Sequence, residues 1–396
     1  MSHYTYLIVG GGMTADAAAE GIRQADPAGT IGLIGSEPHP PYDRPPLSKG
    51  LWKGDPLEKI WRGTESKGVV LHVGREARSL DPRNKQVVDD QGGVYTFDKL
   101  LLATGGTPRQ LAFGAGRILY FRTLDDYGHL RGLTEKGRRF AVIGGGFIGS
   151  EIAAALAMNG KEVVMALSEG TLGGRVFPRD LGLFLNDFYR QKGIEVLAEA
   201  TAVGLEPRGD QVALRIRGVK DSSDREVVLD GVAAGIGIQL NVELAGMAGL
   251  EVGNGILVDQ FLRTNHPDIF SAGDVASFYN PALGKRIRVE HEDNALTMGR
   301  LAGRNMAGEL EPYHHLPFFY SDLFELGYEA VGELDARLET VADWRDPFKE
   351  GVVYYLSEGR VRGVLLWNVW ERVGAARALI AEPGPFRAED LKGAIK

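Results

Sequence analysis

Cysteine is absent from all 396 residues of this sequence. Its absence excludes disulfide bridges, thiolate zinc sites and iron–sulfur clusters held by cysteine. It also removes any redox-active dithiol as a carrier of electrons. The net charge is −8, so the chain lacks the overall basic character on which binding to nucleic-acid phosphates depends. An acidic average still permits one local basic face toward an acidic partner protein.

Long apolar runs are also missing, since no uninterrupted stretch approaches the ~20 residues that a membrane-spanning helix needs. The first five residues lead directly into an apolar run that begins at Tyr6. This leaves no space for the basic and apolar regions of a secretion signal. His314 and His315 are adjacent and lack the spacing of metal ligands. We therefore expect a cytoplasmic protein without a membrane span, a metal site or a nucleic-acid partner.

Glycine is abundant, at 54 residues, and it clusters at two places that resemble each other. In each, a short apolar run ends at three glycines, and a helix-favouring stretch and a second apolar run follow. This order predicts a βαβ unit of a parallel, doubly wound sheet, present twice. The first unit comprises residues 6–9, Gly10–Gly12, 15–24 and 30–34, and the second comprises residues 140–143, Gly144–Gly146, 147–158 and 162–167.

The rest of the chain is rich in strand patterns. Short apolar and alternating segments separated by turn residues predict mainly antiparallel strands and one further helix. They indicate short antiparallel strands over 86–99, a further buried strand over 100–103, a meander over 195–232, a hairpin of 352–356 with 361–367, and a helix over about 370–381. The composition changes from Pro312 onward, and we place a third domain there.

Both glycine clusters fit the G-x-G-x-x-G/A pattern of dinucleotide-binding loops. In that pattern the first glycine permits a tight turn, the second lets the backbone approach a pyrophosphate, and the small third residue lets helix and strand pack closely. The helix that follows directs its unpaired N–H groups and positive dipole end at the phosphates. The positions are Gly10, Gly12 and Ala15 in the first loop and Gly144, Gly146 and Gly149 in the second.

An acidic residue follows the second strand of each unit, where it can accept ribose hydroxyls. Glu37 has this place in the first unit and Glu169 in the second. A carboxylate at the ribose repels a 2′-phosphate, so Glu169 favours NADH over NADPH. Arg175 lies six residues further on; it could meet a 2′-phosphate, or equally a pyrophosphate or the solvent.

A single G-x-G-x-x-G string is weak support for a ligand, because a glycine-rich turn can carry the same letters. Here strand, loop, helix and acid occur together twice. Two such folds in a chain without cysteine imply two dinucleotides with a hydride passing between them. We expect one to be a tightly held flavin and the other an exchangeable nicotinamide.

A more specific string runs from Pro41 to Lys49, PYDRPPLSK. With Glu37 it resembles the signature of the NADH-dependent ferredoxin and rubredoxin reductases and of apoptosis-inducing factor, which belong to the two-dinucleotide flavoproteins of the glutathione reductase superfamily. The last third is most similar to apoptosis-inducing factor. Further matching strings follow in order at 103–109, 121–124, 144–151, 272–274, 288–291, 327–329 and 366–368.

The chain departs from this family pattern at several positions. Tyr320 stands where the family has tryptophan before Ser-Asp, Leu323 replaces the glutamine of the bacterial reductases, and Leu240 replaces a proline. The long insertions of the animal apoptosis factor are absent, so its cell-death behaviour is not carried over.

The resemblance implies an α/β fold with two Rossmann-like dinucleotide-binding domains and a C-terminal α+β domain. It implies an FAD-binding domain from residues 1–112 and 234–312, an NAD(H)-binding domain over 113–233, and the C-terminal domain over 313–396.

The resemblance also implies roles for particular residues. Lys49 and Glu151 would form a buried catalytic pair near the flavin N5, and Asp274 would accept ribityl hydroxyls of FAD. The helix that starts near Asn294 would direct its positive end at the flavin pyrimidine. The other residues predicted to bind a cofactor are Gly10, Gly11, Gly12, Met13, Thr14, Ala15, Ser36, Glu37, Arg44, Ala77, Ala103, Thr104, Gly105, Arg109, Arg122, Gly144, Gly145, Gly146, Phe147, Ile148, Gly149, Glu169, Arg175, Gly237, Glu290, His291, Glu292, Tyr320, Glu329 and Asn368.

The function implied is an FAD oxidoreductase that takes a hydride from NADH onto flavin N5. Electrons would pass to a ferredoxin or rubredoxin, or to a small acceptor such as a quinone. Arg286 and Arg288 would form either a basic rim for a partner protein or a solvated charged face, and the second interpretation is favoured. The alternative is a redox-responsive binding protein like apoptosis-inducing factor, with a long-lived reduced flavin–NAD complex and slow turnover. A homodimer is compatible with either function.

Overall fold

The computed structural model describes residues 1–220 and 222–395. The chain divides into two compact units, each assembled from three segments. The first unit comprises Met1–Asp43, Leu57–Thr107 and Gln239–Phe319, and the second comprises Arg44–Pro56, Pro108–Ile238 and the described chain from Tyr320 onward. The three-domain division remains a prediction.

A seven-stranded sheet forms the centre of the first unit. The strand Ile31–Gly35 is buried along its whole length, as expected for a parallel strand covered on both faces. Residues 100–102 do not form a strand of their own, as the sequence had suggested, because they continue the long strand that begins at Val94. The strands lie in the order Val69–Val73, Ile31–Gly35, Ser2–Val9, Val94–Leu102, Gln86–Asp89 and Ala77–Asp81, with Ile269–Ser271 also paired to Val94–Leu102.

Two long helices of the first unit, Met13–Ala25 and Glu292–Met306, pack at very short range. A Cβ added at Gly303 would lie 2.1 Å from the carbonyl oxygen of Ala18, so the contact requires glycine. The unit also contains the α-helix Glu243–Met247, the 3₁₀ helices Leu57–Ile60, Thr64–Lys67 and Gly273–Val275, and a small sheet of Val252–Gly253, Gly255–Leu257, Ala276–Asn280 and Lys285–Ile287.

The second unit contains its own five-stranded parallel sheet. Its strands lie in the order Ile194–Leu197, Glu162–Ala166, Arg139–Ile143, Gly231–Ala234 and Ile118–Tyr120. The helix Phe147–Met158 has the bounds that the sequence predicted, and the helices Leu124–Lys136 and Arg179–Gln191 complete this part. The predicted meander over 195–232 is confirmed for its middle part, an antiparallel sheet of Ala200–Arg208, Gln211–Gly218 and Asp224–Leu229. Its two ends instead belong to the parallel sheet, in the strands Ile194–Leu197 and Gly231–Ala234.

The C-terminal part of the second unit is an antiparallel sheet with a helix. The predicted hairpin is confirmed, with slightly longer strands, as Glu350–Ser357 and Arg360–Trp367. The predicted helix begins at Val373, three residues later than about Trp370, and ends at Ala381 as expected. The remaining elements are the strands Phe318–Leu323, Leu326–Gly332 and Glu339–Asp346, the helix Ala388–Leu391, the 3₁₀ helices Pro45–Ser48 and Gly50–Trp52, and the short strands Gly106–Pro108 and Ile238–Leu240.

The predicted fold class is confirmed, because each unit contains a set of parallel strands entered through a strand, a glycine loop and a helix, with two antiparallel strands added at one edge of the sheet in the first unit. Among residues 1–220 and 222–395, none of the helices has the length and hydropathy to cross a membrane.

Candidate functional site

The first glycine loop joins the strand Ser2–Val9 to the helix Met13–Ala25. Gly10 has φ +131°, and a Cβ added there would lie 2.1 Å from the carbonyl oxygen of Ala103. Glycine at this position is therefore required by the fold itself. Gly12 differs, since no heavy atom of the described residues lies within 4 Å of a Cβ added there. Its missing side chain leaves open space beside the loop, as close approach of a phosphate requires.

The second glycine loop repeats this arrangement in the second unit. Gly144 has φ +104°, and an added Cβ would lie 2.4 Å from the carbonyl oxygen of Gly235. A Cβ at Gly149 would lie 2.1 Å from the carbonyl oxygen of Gly144, so helix and strand touch through the third small residue. Around Gly146, the described part of the chain again leaves 4 Å of open space. Both loops therefore have the shape of a phosphate cradle.

The helices that follow the loops begin without a side-chain cap from the described residues. Gly12 and Gly146 are the N-cap residues, both with extended backbone, and neither helix has a side-chain cap bond from a described residue. The first N–H groups of a helix have no partner within the helix. An anion placed at either loop would thus meet the positive end of a helix dipole.

Glu37, at the end of the second strand of the first unit, is partly buried and accepts a hydrogen bond from Tyr42. The hydroxyl oxygen of Tyr42 lies 2.5 Å from Glu37 Oε2, and Tyr42 is buried. The bond orients the carboxylate in the position expected for a ribose contact. Tyr42 was not among the predicted site residues, although it belongs to the PYDRPPLSK string.

Glu169 occupies the equivalent position in the second unit. Its Oε2 accepts a bond of 2.8 Å from the Ser168 hydroxyl, and its Oε1 accepts one of 2.8 Å from Arg175 Nε. Burial opposes ionisation, but the bonds from Ser168 and Arg175 outweigh it and lower the pKa of Glu169. Arg175 is therefore held by the carboxylate while its side chain stays 85% exposed.

The predicted contact between Lys49 and Glu151 is present. Lys49 Nζ lies 2.7 Å from Glu151 Oε1, and the two side chains are 14% and 4% exposed. Two serine hydroxyls complete the carboxylate shell, Ser48 Oγ at 2.6 Å from Oε2 and Ser321 Oγ at 2.6 Å from Oε1. The ring centroid of Tyr320 lies 5.4 Å from Lys49 Nζ. Sequence analysis had paired Lys49 with Glu151 but had not identified either serine.

Local structure explains how the PYDRPPLSK string directs Lys49. Two prolines begin the short 3₁₀ helix Pro45–Ser48, and Lys49 separates it from a second one, Gly50–Trp52. Proline at the first positions of a helix is pre-organised for the turn and sacrifices no needed N–H. The Trp52 indole N–H donates to the Leu47 carbonyl at 2.8 Å, which closes the turn beneath Lys49.

Arg44 and Arg122 lie together in the second unit, where the Arg44 guanidinium donates to the Arg122 carbonyl at 2.9 Å. Arg109 donates through Nε to the Ile238 carbonyl at 3.0 Å, close to Gly237. Asn368 has φ +51°, and its side-chain amide binds Gly327 N–H and the Lys349 carbonyl. Its position is thus determined by the C-terminal sheet.

Glu329 carries a buried polar atom that suggests a ligand contact. Its Oε2 has no hydrogen-bond partner among the described residues, and burial raises the pKa of its carboxyl group. Buried polar atoms in native structures nearly always have a partner. A cofactor hydroxyl or amide is one group that would satisfy it.

In the first unit, Asp274 lies in the 3₁₀ helix Gly273–Val275, beside the start of the helix Met13–Ala25. A Cβ added at Gly273, which has φ +80°, would lie 2.4 Å from the hydroxyl oxygen of Thr14. Asp274 therefore stands next to the helix N-terminus that the first loop presents.

His291 is the N-cap of the helix Glu292–Met306, and its ring stacks on Phe319 with centroids 4.2 Å apart. Burial lowers the pKa of His291 to about 4, so the ring is neutral at pH 7. Arg288 is paired with Glu290 at 2.7 Å, and Arg286 donates to the Val258 carbonyl at 3.0 Å. Both arginines of the suggested basic rim thus have partners within the first unit.

A buried charge network that the sequence analysis missed surrounds Asp16, one residue after Ala15. Asp16 is completely buried and accepts bonds from Arg62 Nε at 2.7 Å, Thr64 Oγ1 at 2.7 Å and Lys67 Nζ at 2.5 Å. Burial opposes its ionisation, but these donors lower the pKa of Asp16. Arg62 also pairs with Asp43. The sequence did contain a signal for this network, because Asp16 is an aspartate on the alanine-rich, buried face of a helix.

The predicted cofactor residues thus fall into both units, and the structure describes each unit by itself. The first unit contains Gly10–Ala15, Ser36, Glu37, Ala77, Ala103, Thr104, Gly105, Asp274, Glu290, His291 and Glu292, and the second contains Arg44, Lys49, Arg109, Arg122, Gly144–Gly149, Glu151, Glu169, Arg175, Gly237, Tyr320, Glu329 and Asn368. Throughout the described chain, histidine, aspartate and glutamate form no group of three or more that could hold a metal ion.

Known proteins of similar sequence and structure agree with this geometry. The chain is 33% identical over 413 residues to the anthranilate 1,2-dioxygenase system ferredoxin–NAD(+) reductase component of Burkholderia cepacia, covering 100% of this chain and 99% of that protein. A chain in the crystal structure of the covalent putidaredoxin reductase–putidaredoxin complex is 29% identical, with a TM-score of 0.89 and coverage of 98% and 95%. The chain is also 28% identical to a longer protein of Drosophila melanogaster and spans 65% of that protein's length.

Two protein families match the chain directly. Residues 302–347 and 342–382 match the family described as apoptosis-inducing factor, mitochondrion-associated, C-term. Residues 4–299, which include both glycine loops, the Lys49–Glu151 pair and Asp274, match the family described as pyridine nucleotide-disulphide oxidoreductase. The chain therefore belongs to the pyridine nucleotide-disulphide oxidoreductase family, although its sequence contains no cysteine.

Proposed function

We propose that this protein holds FAD tightly and without a covalent bond, takes reducing equivalents from NADH, and passes electrons to a ferredoxin-type or rubredoxin-type protein. The main support for this proposal is the pair of glycine loops, which leave open space at Gly12 and Gly146. In each unit an acidic residue, Glu37 or Glu169, follows the second strand. Bound FAD would accept a hydride from NADH and release electrons one at a time. The absence of cysteine means that no dithiol can take part.

Each cofactor has a set of residues suited to it. The first loop, Glu37 and Asp274 offer backbone donors for a pyrophosphate and carboxylates for hydroxyl groups, as FAD requires. The second loop and Glu169 offer the same to NADH, with the carboxylate selecting against a 2′-phosphate. Lys49 places an ammonium group, oriented by Glu151, in the second unit. Such a group would favour an electron-rich reduced cofactor.

The electron acceptor is inferred from the relatives. One is named as a ferredoxin–NAD(+) reductase component, and a structural neighbour comes from a complex with putidaredoxin. We propose the same class of acceptor here, in the cytoplasm, with a quinone as the small-molecule alternative and a homodimer as one state of assembly.

An acceptor screen with NADH tests this function. FAD-loaded protein is mixed anaerobically with NADH, and flavin bleaching is followed before ferredoxin, rubredoxin, a quinone or ferricyanide is added. We expect NADH to bleach the flavin and a ferredoxin or rubredoxin to restore its absorbance within the turnover time of the enzyme. FAD-loaded protein that NADH leaves oxidised would contradict the proposal.

A second candidate function rests on the match of residues 302–382 to the C-terminal region of apoptosis-inducing factor. A protein of this kind would respond to NADH by forming a long-lived reduced complex and changing its assembly. The same experiment separates the two. A stable charge-transfer band, negligible turnover with every acceptor and an NADH-dependent change in molecular mass would favour the binding protein.

A further inference from the structure

The carboxylate of Glu151 is held by three side chains from two distant parts of the sequence. Lys49 and Ser321 both contact Oε1, at 2.7 Å and 2.6 Å, and Ser48 contacts Oε2 at 2.6 Å. Lys49 and Ser48 belong to one tight turn, whereas Ser321 lies 170 residues from Glu151 in the sequence. The C-terminal sheet thus supplies a donor directly to the ion pair.

Ser321 is itself fixed by its surroundings in the C-terminal sheet. It lies in the strand Phe318–Leu323, is 1% exposed, and is hydrogen-bonded to Tyr328. A serine hydroxyl has one hydrogen, and Ser321 directs it at Glu151. The Tyr328 ring is buried and stacks on Trp367 with centroids 5.6 Å apart. Ser321, Glu151 and Lys49 therefore form one continuous set of polar contacts, with the Tyr328 hydroxyl next to Ser321.

We propose that Ser321 is a positioning residue for Lys49, acting through Glu151. The terminal torsion of a glutamate is broad, so a carboxylate held by a single ammonium group can turn with it. Ser48 holds Oε2 and Ser321 holds Oε1, so the carboxylate that pairs with Lys49 cannot turn freely. The hydroxyl dipole also compensates part of the buried negative charge. This inference deepens the proposed function and rests on it for its effect on the flavin.

A purely structural role for Ser321 makes a different prediction. If the serine only fills space in the C-terminal sheet, its replacement affects the protein equally whether or not residue 49 is charged. If it positions Lys49, its effect depends on the ammonium group. The two roles can therefore be separated by measuring Ser321→Ala in the presence and absence of the lysine.

The experiment measures the midpoint potential of bound FAD in four proteins: wild type, Ser321→Ala, Lys49→Met and the double variant. We expect Ser321→Ala to shift the potential to a more negative value, because the Lys49 ammonium group is no longer held in one orientation. We expect little further shift when it is added to Lys49→Met. Tyr328→Phe, which keeps the ring and removes the hydroxyl next to Ser321, should give a smaller shift in the same direction.

Thr134→Val serves as the matched control. Thr134 is also a buried hydroxyl of the second unit, and it donates to the Arg131 carbonyl at 2.7 Å. It should leave the potential unchanged. Equal shifts from Ser321→Ala in the lysine and methionine backgrounds would overturn the proposal.

A flavin-free measurement keeps this inference distinct from the proposed function. Thermal unfolding of the apoprotein is compared for Ser321→Ala, Glu151→Gln and the double variant. We expect the two losses in Tm to be clearly less than additive, since Ser321→Ala removes the same bond that Glu151→Gln weakens. Additive losses would contradict the contact whether or not FAD binds, whereas failure to bind FAD or to react with NADH would contradict only the proposed function.

Discussion

We predict that nucleotide choice depends on a single residue, Glu169. It follows the strand Glu162–Ala166, has a lowered pKa, and is bound by an arginine that remains largely exposed. A ribose diol can donate to the carboxylate, while a 2′-phosphate meets a negative charge already in place. Arg175 is the group that could accommodate the phosphate once the carboxylate is gone.

We expect Glu169→Ala to weaken NADH binding by an order of magnitude or more, since a hydrogen bond to a charged group contributes ~1.5–3 kcal/mol. The preference for NADH over NADPH should shrink at the same time, because Arg175 loses its partner. Rapid-mixing reduction of the flavin at varied nucleotide concentrations measures both effects. Glu162→Ala, which removes an exposed glutamate at the other end of the same strand region, is the control. If NADPH reduced the flavin of the wild type as fast as NADH does, the assignment of Glu169 as the selecting residue would be ruled out.

The Lys49–Glu151 pair gives a second prediction at this scale. Lys49→Ala leaves a carboxylate that is 4% exposed without its cation, which costs ~3–5 kcal/mol when the site is dry. We also expect slower flavin reduction by NADH and a lower flavin potential. Replacing both residues should do less damage to stability than the sum of the single changes, because neither charge is left alone. Purely additive effects on unfolding and on reduction rate would contradict a functional pair.

At the scale of elements, the glycines of a single loop have different reasons for being glycine. Some are required by the fold, and others leave space for a ligand. Gly10 contacts Ala103 so closely that no side chain fits, whereas Gly12 borders open space with φ −95°. Both glycines satisfy the same sequence pattern. Only the surroundings of each Cβ position distinguish their roles.

We expect Gly12→Ala to leave the apoprotein nearly as stable as the wild type, with a loss below ~1 kcal/mol, while FAD affinity falls sharply. Gly10→Ala should instead destabilise the apoprotein itself, because an added Cβ would lie 2.1 Å from a carbonyl oxygen. Thermal unfolding of the apoproteins and titration with FAD measure the two effects. Unchanged FAD affinity in Gly12→Ala would show that the open space is not the phosphate site.

Asp16 lies at the start of the helix Met13–Ala25 and accepts hydrogen bonds from three side chains, which stabilise this end of the helix. Its folded-state pKa lies below the ordinary value, so its contribution to stability is fully present above the unfolded-state pKa of about 3.9 and is lost as the pH falls below it. Asp16→Asn should destabilise the protein at pH 7 and flatten the loss of stability on acidification. Thermal unfolding of the apoprotein between pH 3 and 7 tests this, with the exposed Asp90→Asn as control. An unchanged acid profile would contradict the network.

For the whole molecule, we expect a yellow protein with one FAD per chain, released intact by denaturation because no covalent bond holds it. A ligand that binds only the folded state raises stability by mass action, ~2.7 kcal/mol at a hundredfold excess over Kd. The Tm should therefore rise with FAD concentration. Absorbance at saturation and the unfolding curve with and without FAD provide the measurements. A folded, colourless chain that FAD does not stabilise would refute the assignment.

Much of the fold follows from local sequence patterns. The helix Phe147–Met158 begins after the second glycine loop and ends at an Asn-Gly stop, and its bounds are as predicted. Leu100–Leu102 were placed on a separate strand, but they extend the strand from Val94 because the parallel neighbour Ser2–Val9 pairs along its whole length. Local patterns indicate apolar segments, whereas the partner strand decides where a strand starts.

The sequence alone determined the two dinucleotide loops, the acids that follow them, and the absence of any thiol chemistry, because each depends on contiguous residues or on composition. Family resemblance paired Lys49 with Glu151. Only the tertiary structure decided that Ser321 completes that pair, that Arg62 and Lys67 neutralise Asp16, and that Gly10 rather than Gly12 is required by the fold. These contacts join residues 46 to 170 positions apart. Separations of that size are set by strand order and helix packing, which periodicity along a single chain does not encode.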